Sequence, residues 1–320
     1  MRFATLPDGS PDGRLHLVSR DNTRCIPAQA APTLQAALEG WDALSPALQA
    51  EYAALNQGGG QPFDPAAALA PLPRAWQWLD GSAFESHGDL MDAVFGFEKK
   101  EKTGRPLMYQ GVSDRFLAPS APARMPSEAD GIDFEGEFGV ICKATPMGVN
   151  GSAADHIALV VQINDWSLRK LAPVEMKTGF GWIQAKPPCS MAPVAVTPDE
   201  LGAAWRDARV DLPLNVEWNG AAFGAPNGYH MAFGFDDLVR HAAYSRDLVP
   251  GTVIGSGTVS NSTFRQIGSA CIAERRGIET LDEGAARTPF MSFGDEVRME
   301  CRAADGSALF GAIRQTVVAA

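Results

Sequence analysis

The segment GIDFEGEFGVIC, residues 131–142, carries more structural information than any other part of the chain. Asp133, Glu135 and Glu137 are two residues apart, and a β-strand would place all three carboxylates on one face because successive side chains alternate. The apolar residues 140–142 predict that this strand enters the core. Carboxylates crowded beside a core repel one another unless a proton or a cation such as Mg2+ or Ca2+ lies among them. A solvated strand with a polar outer face is the alternative that this segment leaves open.

The segments that follow indicate a β-rich domain. Residues 156–164, HIALVVQIN, are almost continuously apolar and lead into Asp165, which we expect where a buried strand reaches the surface. Asn219-Gly220 is a hairpin signal, and the capping pattern TPDE at residues 197–200 predicts a short helix. We therefore predict an α+β, β-rich fold and not a doubly wound parallel sheet.

The N-terminal part of the chain has a different pattern. Its first 27 residues alternate apolar stretches with turn signals, as in a small β meander, and helical spacing follows. Ser45-Pro46 is expected to open the second of two helices. Three consecutive glycines and four prolines then interrupt the pattern, so we predict a small N-terminal β/α domain over 1–75 and a larger domain over 76–320.

Composition limits the functions open to this protein. The chain has 320 residues, of which 45% are hydrophobic, enough for a substantial core and about two domains. Its 27 basic and 38 acidic residues give a formal net charge of −11. Nucleic acid and anionic membranes demand basic surface and are not expected partners. An anionic ligand would have to meet a local cation.

Targeting and cysteine chemistry give little further signal. The first 20 residues show no apolar run typical of a signal peptide, and the sequence holds no stretch long enough to cross a bilayer. We predict a cytoplasmic protein. The five cysteines are odd in number and contain no close pair, which argues against a disulfide framework or a thiolate zinc site.

Seven segments occur in an order that resembles the fumarylacetoacetate hydrolase family. They are LDGSAFESH at 79–87, PLMYQG at 106–111, DFEGEFGVI at 133–141, INDWSLR at 163–169, the lysine of QAKPP at 186, GSGTVSN at 255–261 and FGDEVRME at 293–300. The first 75 residues resemble the small N-terminal domain found in many members. The resemblance implies a mixed β-roll catalytic domain, often homodimeric, that acts with a metal ion on acylpyruvates, diketones or related 2-oxo acids.

The resemblance also implies the metal ligands and the catalytic residues. Its metal carboxylates correspond to Asp80, Glu135, Glu137 and Asp165. Four carboxylates suit Mg2+ better than zinc, with Ca2+ or Mn2+ as alternatives. The catalytic histidine of the hydrolase branch corresponds to His87, and the carboxylate that would orient it is best matched by Glu274. The positions matched to the oxyanion or the substrate are Lys186, Arg169, Tyr109 and Thr258.

Two departures from the family pattern affect the substrate end of the site. Ala172 stands where the hydrolase branch has a glutamine, and its substrate-binding arginine falls near Phe95-Gly96. We therefore expect a Mg2+-dependent hydrolase that cleaves a carbon–carbon bond in a 1,3-diketo acid. The alternatives are a 2-oxo acid hydratase, decarboxylase or isomerase, and a catalytically silent protein that binds a metal or a solute.

Simpler interpretations of individual residues remain open in the sequence. Asp165 could cap a turn after a buried strand, and His87 could be a surface or core histidine on a helix. The GSGTVSN segment lacks the Gly-Lys-Ser ending of a phosphate loop, so its glycines are expected to allow close approach of the backbone to a substrate. The charged tract at 98–105 is expected to be a solvated loop or a lid.

Overall fold

Strands dominate the computed structural model, which describes residues 1–95, the last of them by its backbone alone, and residues 104–320. The strands are β1 (Arg2–Leu6), β2 (Arg14–Val18), β3 (Arg24–Pro27), β4 (Gln61–Pro62), β5 (Trp78–Gly81), β6 (Met108–Gln110), β7 (Ala123–Met125), β8 (Ile132–Asp133), β9 (Gly136–Cys142), β10 (Ile157–Asn164), β11 (Ser167–Leu168), β12 (Ser190–Met191), β13 (Ala195–Val196), β14 (Trp205–Arg206), β15 (Arg209–Val210), β16 (Leu214–Trp218), β17 (Ala221–Gly224), β18 (Val253–Gly255), β19 (Glu296–Arg302) and β20 (Ala308–Ala319).

Helices are fewer and lie between these strands. The α-helices are α1 (Leu34–Glu39), α2 (Trp41–Gln57), α3 (Glu85–Phe95), α4 (Ala172–Met176), α5 (Phe235–Ala242), α6 (Phe264–Ile267) and α7 (Ile272–Glu283). In the described ranges, no helix combines the length and the apolar composition needed to cross a bilayer. Most of the charged tract at 98–105, Gly96 and the side chain of Phe95 lie outside the described residues.

The largest sheet has the order β4-β3-β2-β1-β13-β10-β9-β18-β5-β6, with β12 also beside β10. Neighbouring strands in this sheet are antiparallel, except that β5 and β18 run parallel to each other. A second sheet has the order β17-β16-β19-β20-β7. This mixed, strand-rich architecture confirms the predicted α+β class.

The two sheets pack on a shared core, and the buried side chain of Gln162 joins them. The rings of Phe138 on β9 and Phe310 on β20 lie 6.1 Å apart between centroids. Gln162 on β10 donates to the carbonyl of Met299 at 3.0 Å and accepts from the amide of Cys301 at 2.8 Å. Because Gln162 is fully buried and satisfied at both ends, it fixes β10 against β19.

The N-terminal strands extend the large sheet, because β1 pairs with β13 and places Arg2 opposite Val196. Helices α1 and α2 pack their apolar side chains, among them Leu34 and Tyr52, against this end of the sheet. The prediction that α2 begins at Ser45-Pro46 is wrong. The helix begins at Trp41, so Pro46 lies inside it. The domain boundary at residue 75 stays a prediction.

The TPDE pattern does not form the predicted capped helix. Pro198–Ala204 is a 3-10 segment broken at Gly202, and the Thr197 side chain makes no cap hydrogen bond. Thr197 Oγ1 instead donates to the carbonyl of Met1 at 3.3 Å, and Glu200 pairs with Arg2 at 3.3 Å. Contacts with Met1 and with Arg2 of β1 therefore replace the local capping that the sequence indicates.

Candidate metal and catalytic site

The segment from Ile132 to Cys142 is not one continuous strand, which corrects the prediction of three carboxylates on one strand face. β8 ends at Asp133 and β9 begins at Gly136, so Asp133 and Glu137 belong to different strands. Asp133, Glu135 and Glu137 are all buried, which excludes the solvated-face alternative.

Three carboxylates from distant parts of the chain converge. Asp80 on β5, Glu137 on β9 and Asp165 just after β10 each place one ligand oxygen within 4.8 Å of the others. All three side chains are buried. Such an arrangement offers a cation three oxygen ligands without rearrangement of the backbone.

Strand register brings these residues together. β9 and β10 pair so that Gly136 faces Asn164, and just beyond this pair the amide of Asp165 donates to the carbonyl of Glu135 at 3.0 Å. β18 lies between β9 and β5, with Gly255 opposite Asp80. The carboxylates of Asp80, Glu137 and Asp165 therefore meet at one end of four adjacent strands.

Gly255 makes room for two of these carboxylates. A Cβ added at Gly255 would lie 2.3 Å from Asp80 Oδ1 and 2.9 Å from Glu137 Oε2, both closer than real Cβ contacts. Glycine is therefore needed here because of space. Close approach of the backbone of the GSGTVSN segment to a substrate stays a prediction, while the lack of a side chain at Gly255 makes room for the carboxylates.

The electrostatics of the three carboxylates favour a bound cation. Within residues 1–95 and 104–320, neither oxygen of Glu137 accepts a hydrogen bond, although Asp80 lies close enough to share a proton with it. Burial, followed by the charges of Asp80 and Asp165, raises the pKa of Glu137 well above its ordinary value. Burial and the charge of Asp165 do the same to the pKa of Asp80. Buried carboxylate oxygens without donors fit Mg2+, Mn2+ or Ca2+.

Glu135 lies beside the three converging carboxylates, and its oxygens have other partners. They accept from Ser167 Oγ at 2.5 Å, from Lys186 Nζ at 2.6 Å and from Thr258 Oγ1. Arg169 adds an ion pair at 3.1 Å. Burial alone would raise the pKa of Glu135, but the two cations outweigh it and hold that pKa below its ordinary value. Its role as a fourth metal ligand stays a prediction.

Lys186 connects Glu135 to the converging carboxylates. Its Nζ lies 2.5 Å from Asp165 Oδ2, and the hydroxyl of Tyr109 donates to the same oxygen at 2.9 Å. Burial opposes the charge of Lys186, yet Asp165 and Glu135 raise its pKa above the ordinary value. Lys186 therefore stays an ammonium group and offsets part of the negative charge.

The second oxygen of Asp165 has a partner that the sequence did not indicate. The Sγ of Cys189 lies 2.9 Å from Asp165 Oδ1. Burial, together with the charge of Asp165, raises the pKa of Cys189 well above its ordinary value, so the thiol keeps its proton and donates it. Cys189 is not in any of the segments that carry the resemblance, which is why only the structure reveals it.

The structure also brings His87 and Glu274 together. His87 Nδ1 lies 3.7 Å from Glu274 Oε1, within ion-pair range and longer than a hydrogen bond. α3 and α7 approach closely here because α7 has Gly277, where a Cβ would lie 2.7 Å from Met91 Cε. Glu274 is fully buried, and Ser260 Oγ donates to its Oε1.

The GSGTVSN segment connects the carboxylates to this histidine pair. The amide of Gly257 donates to Asp80 Oδ1 at 3.2 Å, Thr258 donates to Glu135, and Ser260 donates to Glu274. Thr258 and Ser260 therefore use their hydroxyls to hold buried carboxylates. Ser260 lies inside a segment quoted for the resemblance, so its position in the sequence was a usable signal.

Arg169 links two carboxylates and lies mostly inside the protein. Its Nε donates to Asp133 Oδ2 at 2.8 Å, while its Nη2 pairs with Glu135. Burial opposes the charge, but Glu135 and Asp133 raise the pKa of Arg169 above its ordinary value. Asp133 also accepts from the first two amides of α7, those of Ile272 at 2.7 Å and Ala273 at 2.9 Å. These contacts fasten α7 to β8, directly before the segment that contains Glu135.

Two protein-family models match this chain. Residues 77–318 match a model described as "Fumarylacetoacetate (FAA) hydrolase C-terminal", and residues 1–74 match one described as "Fumarylacetoacetase N-terminal domain 2". Together these matches cover nearly the whole sequence.

Individual relatives are more distant. Over 162 residues the chain is 26% identical to the mitochondrial oxaloacetate tautomerase fahd2 of Xenopus laevis, a match that covers 48% of this chain and 47% of that protein. The chain therefore spans about half the length of this curated relative.

Solved structures match over the full length of the chain. A putative HpcE protein from Mycobacterium smegmatis superposes with a TM-score of 0.69 at 21% identity and 100% coverage of both chains. Maleylpyruvate hydrolase from Sphingobium sp. SYK-6, in complex with manganese (II) ion and pyruvate, superposes with a TM-score of 0.65 at 16% identity and 99% coverage of both. At these identities the likeness concerns the fold.

Proposed function

Because the chain belongs to the fumarylacetoacetate hydrolase family, we propose that it is a hydrolase that uses a divalent cation to cleave a carbon–carbon bond in a 1,3-diketo acid of the acylpyruvate type. One observation carries the proposal. The buried carboxylates of Asp80, Glu137 and Asp165 converge, and Glu137 has no hydrogen-bond donor among the described residues.

Asp80, Glu137 and Asp165 would hold the cation, with Glu135 as the further ligand that the family resemblance implies. Mg2+ is the ion we propose, since an all-carboxylate set favours hard cations. When bound, the cation supplies positive charge that polarises the carbonyl oxygens of the substrate and stabilises the enolate that leaves when the carbon–carbon bond breaks.

His87 would move the protons of the reaction. Its Nδ1 faces Glu274, which leaves Nε2 to take a proton from the attacking water. The hydroxide formed adds to the acyl carbonyl, the bond between this carbon and the neighbouring carbon breaks, and its electron pair stays on the departing enolate. The proton held at Nε2 then passes to that carbon, which gives a carboxylic acid and a 2-oxo acid.

Glu274 and Lys186 would assist electrostatically. A buried carboxylate beside Nδ1 stabilises the imidazolium that forms when His87 holds a second proton. Lys186, whose Nζ pairs with both Asp165 and Glu135, would add positive charge near an oxyanion that forms next to the cation.

The test is a screen of acylpyruvates with Mg2+, Mn2+, Ca2+ or a chelator. We expect the enol absorbance to fall only with a cation, with a carboxylic acid and pyruvate as products. Turnover that is unchanged by the chelator, or absent with every acylpyruvate, would contradict the proposal. The resemblance also predicts a homodimer, which light scattering of the purified protein would test.

A second candidate is a 2-oxo acid hydratase, decarboxylase or isomerase. Ala172 favours it, because a methyl group stands where the hydrolase branch has an amide. Product analysis separates the two reactions. An isomerase moves a proton within the substrate and yields one product of unchanged mass, whereas a hydrolase yields two fragments.

A further inference from the structure

Residues 170–185 link Arg169 to Lys186 and contain a carboxylate with an unusual set of partners. Glu175 on α4 accepts hydrogen bonds from three successive backbone amides, those of Ile183 at 3.1 Å, Gln184 at 2.9 Å and Ala185 at 3.0 Å. One side chain therefore closes the loop from 177 to 185, which we call the clamped loop. Lys186 follows this loop directly.

The clamped loop places an indole beside the site. The rings of Trp182 and Tyr109 meet edge to face at an interplanar angle of 88°, with centroids 4.6 Å apart. The indole nitrogen of Trp182 donates to the carbonyl of Ala172 at 3.4 Å. That carbonyl belongs to the first residue of α4, so the indole ties the clamped loop back to this helix.

The rings of Trp182 and Tyr109 lie next to Lys186, the residue that pairs with Asp165 of the converging carboxylates. Lys186 Nζ lies 5.6 Å from the centroid of Tyr109 and 5.9 Å from that of Trp182. Both residues are half-buried, so each keeps some surface that a ligand can reach. A substrate held at the carboxylates would extend its outer substituent along these rings.

The charges beside these two rings disfavour a second substrate carboxylate. Lys186 and Arg169 are each paired with two protein carboxylates. Leu107, two residues before Tyr109, and Ile183, which follows Trp182, are apolar and exposed. Flat apolar groups gain from contact with aromatic faces, whereas a carboxylate here would lose water without gaining either of these two cations.

We propose that Trp182 and Tyr109 form an aromatic subsite for the outer substituent of the substrate and that this substituent is an uncharged aryl or alkyl group. Glu175 is the positioning residue that holds Trp182 in the subsite. This inference rests on the proposed function, which it deepens by naming the substrate class.

Equilibrium binding tests the subsite without requiring turnover. The probes, measured by calorimetry with Mn2+ present, are oxalate, which has no outer substituent, phenylpyruvate, which has an aryl group, and 2-oxoglutarate, which has a second carboxylate. We expect phenylpyruvate to bind more tightly than 2-oxoglutarate. Trp182→Ala should weaken phenylpyruvate about tenfold and leave oxalate unchanged, while Trp182→Phe should keep most of the affinity.

Two further variants separate positioning from general disturbance of the loop. Glu175→Ala should weaken phenylpyruvate as Trp182→Ala does, again with oxalate unchanged. Phe180→Ala is the matched control, because Phe180 is an aromatic residue of the same loop that is 97% exposed, and it should change neither affinity.

Each outcome decides the inference. Equal loss of oxalate and phenylpyruvate in Trp182→Ala would show that Trp182 only supports the loop, and tighter binding of 2-oxoglutarate would show a charged outer group. Failure of oxalate to bind the unmodified protein would remove the site and the subsite together. If phenylpyruvate responds selectively but no acylpyruvate is hydrolysed, the subsite stands and the hydrolase proposal fails.

Discussion

His87 Nδ1 lies 3.7 Å from Glu274 Oε1, although the two residues come from different helices far apart in the chain. Glu274 is fully buried and holds one hydrogen bond from Ser260. The second oxygen of Glu274 has no donor among the described residues, which is unfavourable for the stability of the fold. A buried carboxylate next to a partly exposed imidazole therefore fits a role in proton transfer.

Glu274→Gln should lower kcat and leave metal affinity unchanged. The amide keeps the shape of the side chain but removes the charge that stabilises the His87 imidazolium. We expect a loss of about a hundredfold in kcat, in the range of general-base effects. Glu283→Gln, at the exposed end of the same helix, is the control and should retain full activity. Equal activity in both variants would show that Glu274 takes no part in the reaction.

Gly255→Ala should impair cation binding. The added methyl group would lie 2.3 Å from Asp80 Oδ1, 2.3 Å from Trp78 Cη2 and 2.9 Å from Glu137 Oε2, so both carboxylates and the indole would have to move. We expect Mn2+ affinity, measured by calorimetry, to fall about 10- to 100-fold, as when residues that orient ligands are changed. Gly88→Ala, where a Cβ meets nothing within 4 Å, should keep the full affinity. Unchanged affinity in Gly255→Ala would place the cation elsewhere.

Stabilisation by a cation should increase with pH. Burial and neighbouring charges raise the pKa of Asp80 and Glu137, so the folded metal-free protein holds protons that the unfolded chain releases above about pH 4. Its stability therefore falls as pH rises through the raised pKa values, whereas a cation needs the deprotonated carboxylates and binds more tightly.

Thermal unfolding with saturating Mg2+ and with chelator, from about pH 5 to about pH 9, measures this difference in Tm. We expect the difference to grow over that range. Glu137→Gln should raise the Tm of the metal-free protein at the higher pH and abolish the increase caused by Mg2+. A difference in Tm that is the same at every pH would contradict the assigned carboxylates.

Much of the site could be located from the sequence because its residues lie in short segments with local signals. Asp165 directly follows the end of β10, as predicted, but it is fully buried, so the prediction that the strand reaches the surface there is wrong. Asp80, Glu137 and Asp165 were grouped only through the family resemblance, since nothing in their spacing relates β5 to β10. The register of β18 between β9 and β5 is the non-local fact that brings them together.

The errors share a physical cause, which is competition from distant partners. Alternation predicted that Asp133 and Glu137 face the same way, but the amides of α7 and the guanidinium of Arg169 bind Asp133 and the strand is interrupted after it. In the TPDE pattern, Thr197 contacts Met1 and Glu200 contacts Arg2, so the predicted cap hydrogen bond does not form. Glu175 and Cys189 had no local signal, because their function depends on residues that only the fold brings near.

Asp133→Asn should destabilise the fold of the protein, whether or not a cation is bound. Asp133 is fully buried and accepts from Ile272, Ala273 and Arg169, so an amide would turn a donor toward other donors and leave Arg169 paired with Glu135 alone. We expect the free energy of unfolding, from urea denaturation, to fall by about 2 to 4 kcal/mol. Asp282→Asn is the control, because it removes only an exposed ion pair between α7 and Arg265. This variant should lower the free energy of unfolding by less than about 1 kcal/mol. If the two variants lose equal stability, Asp133 does not fasten α7, and some other contact must keep Glu274 within reach of His87.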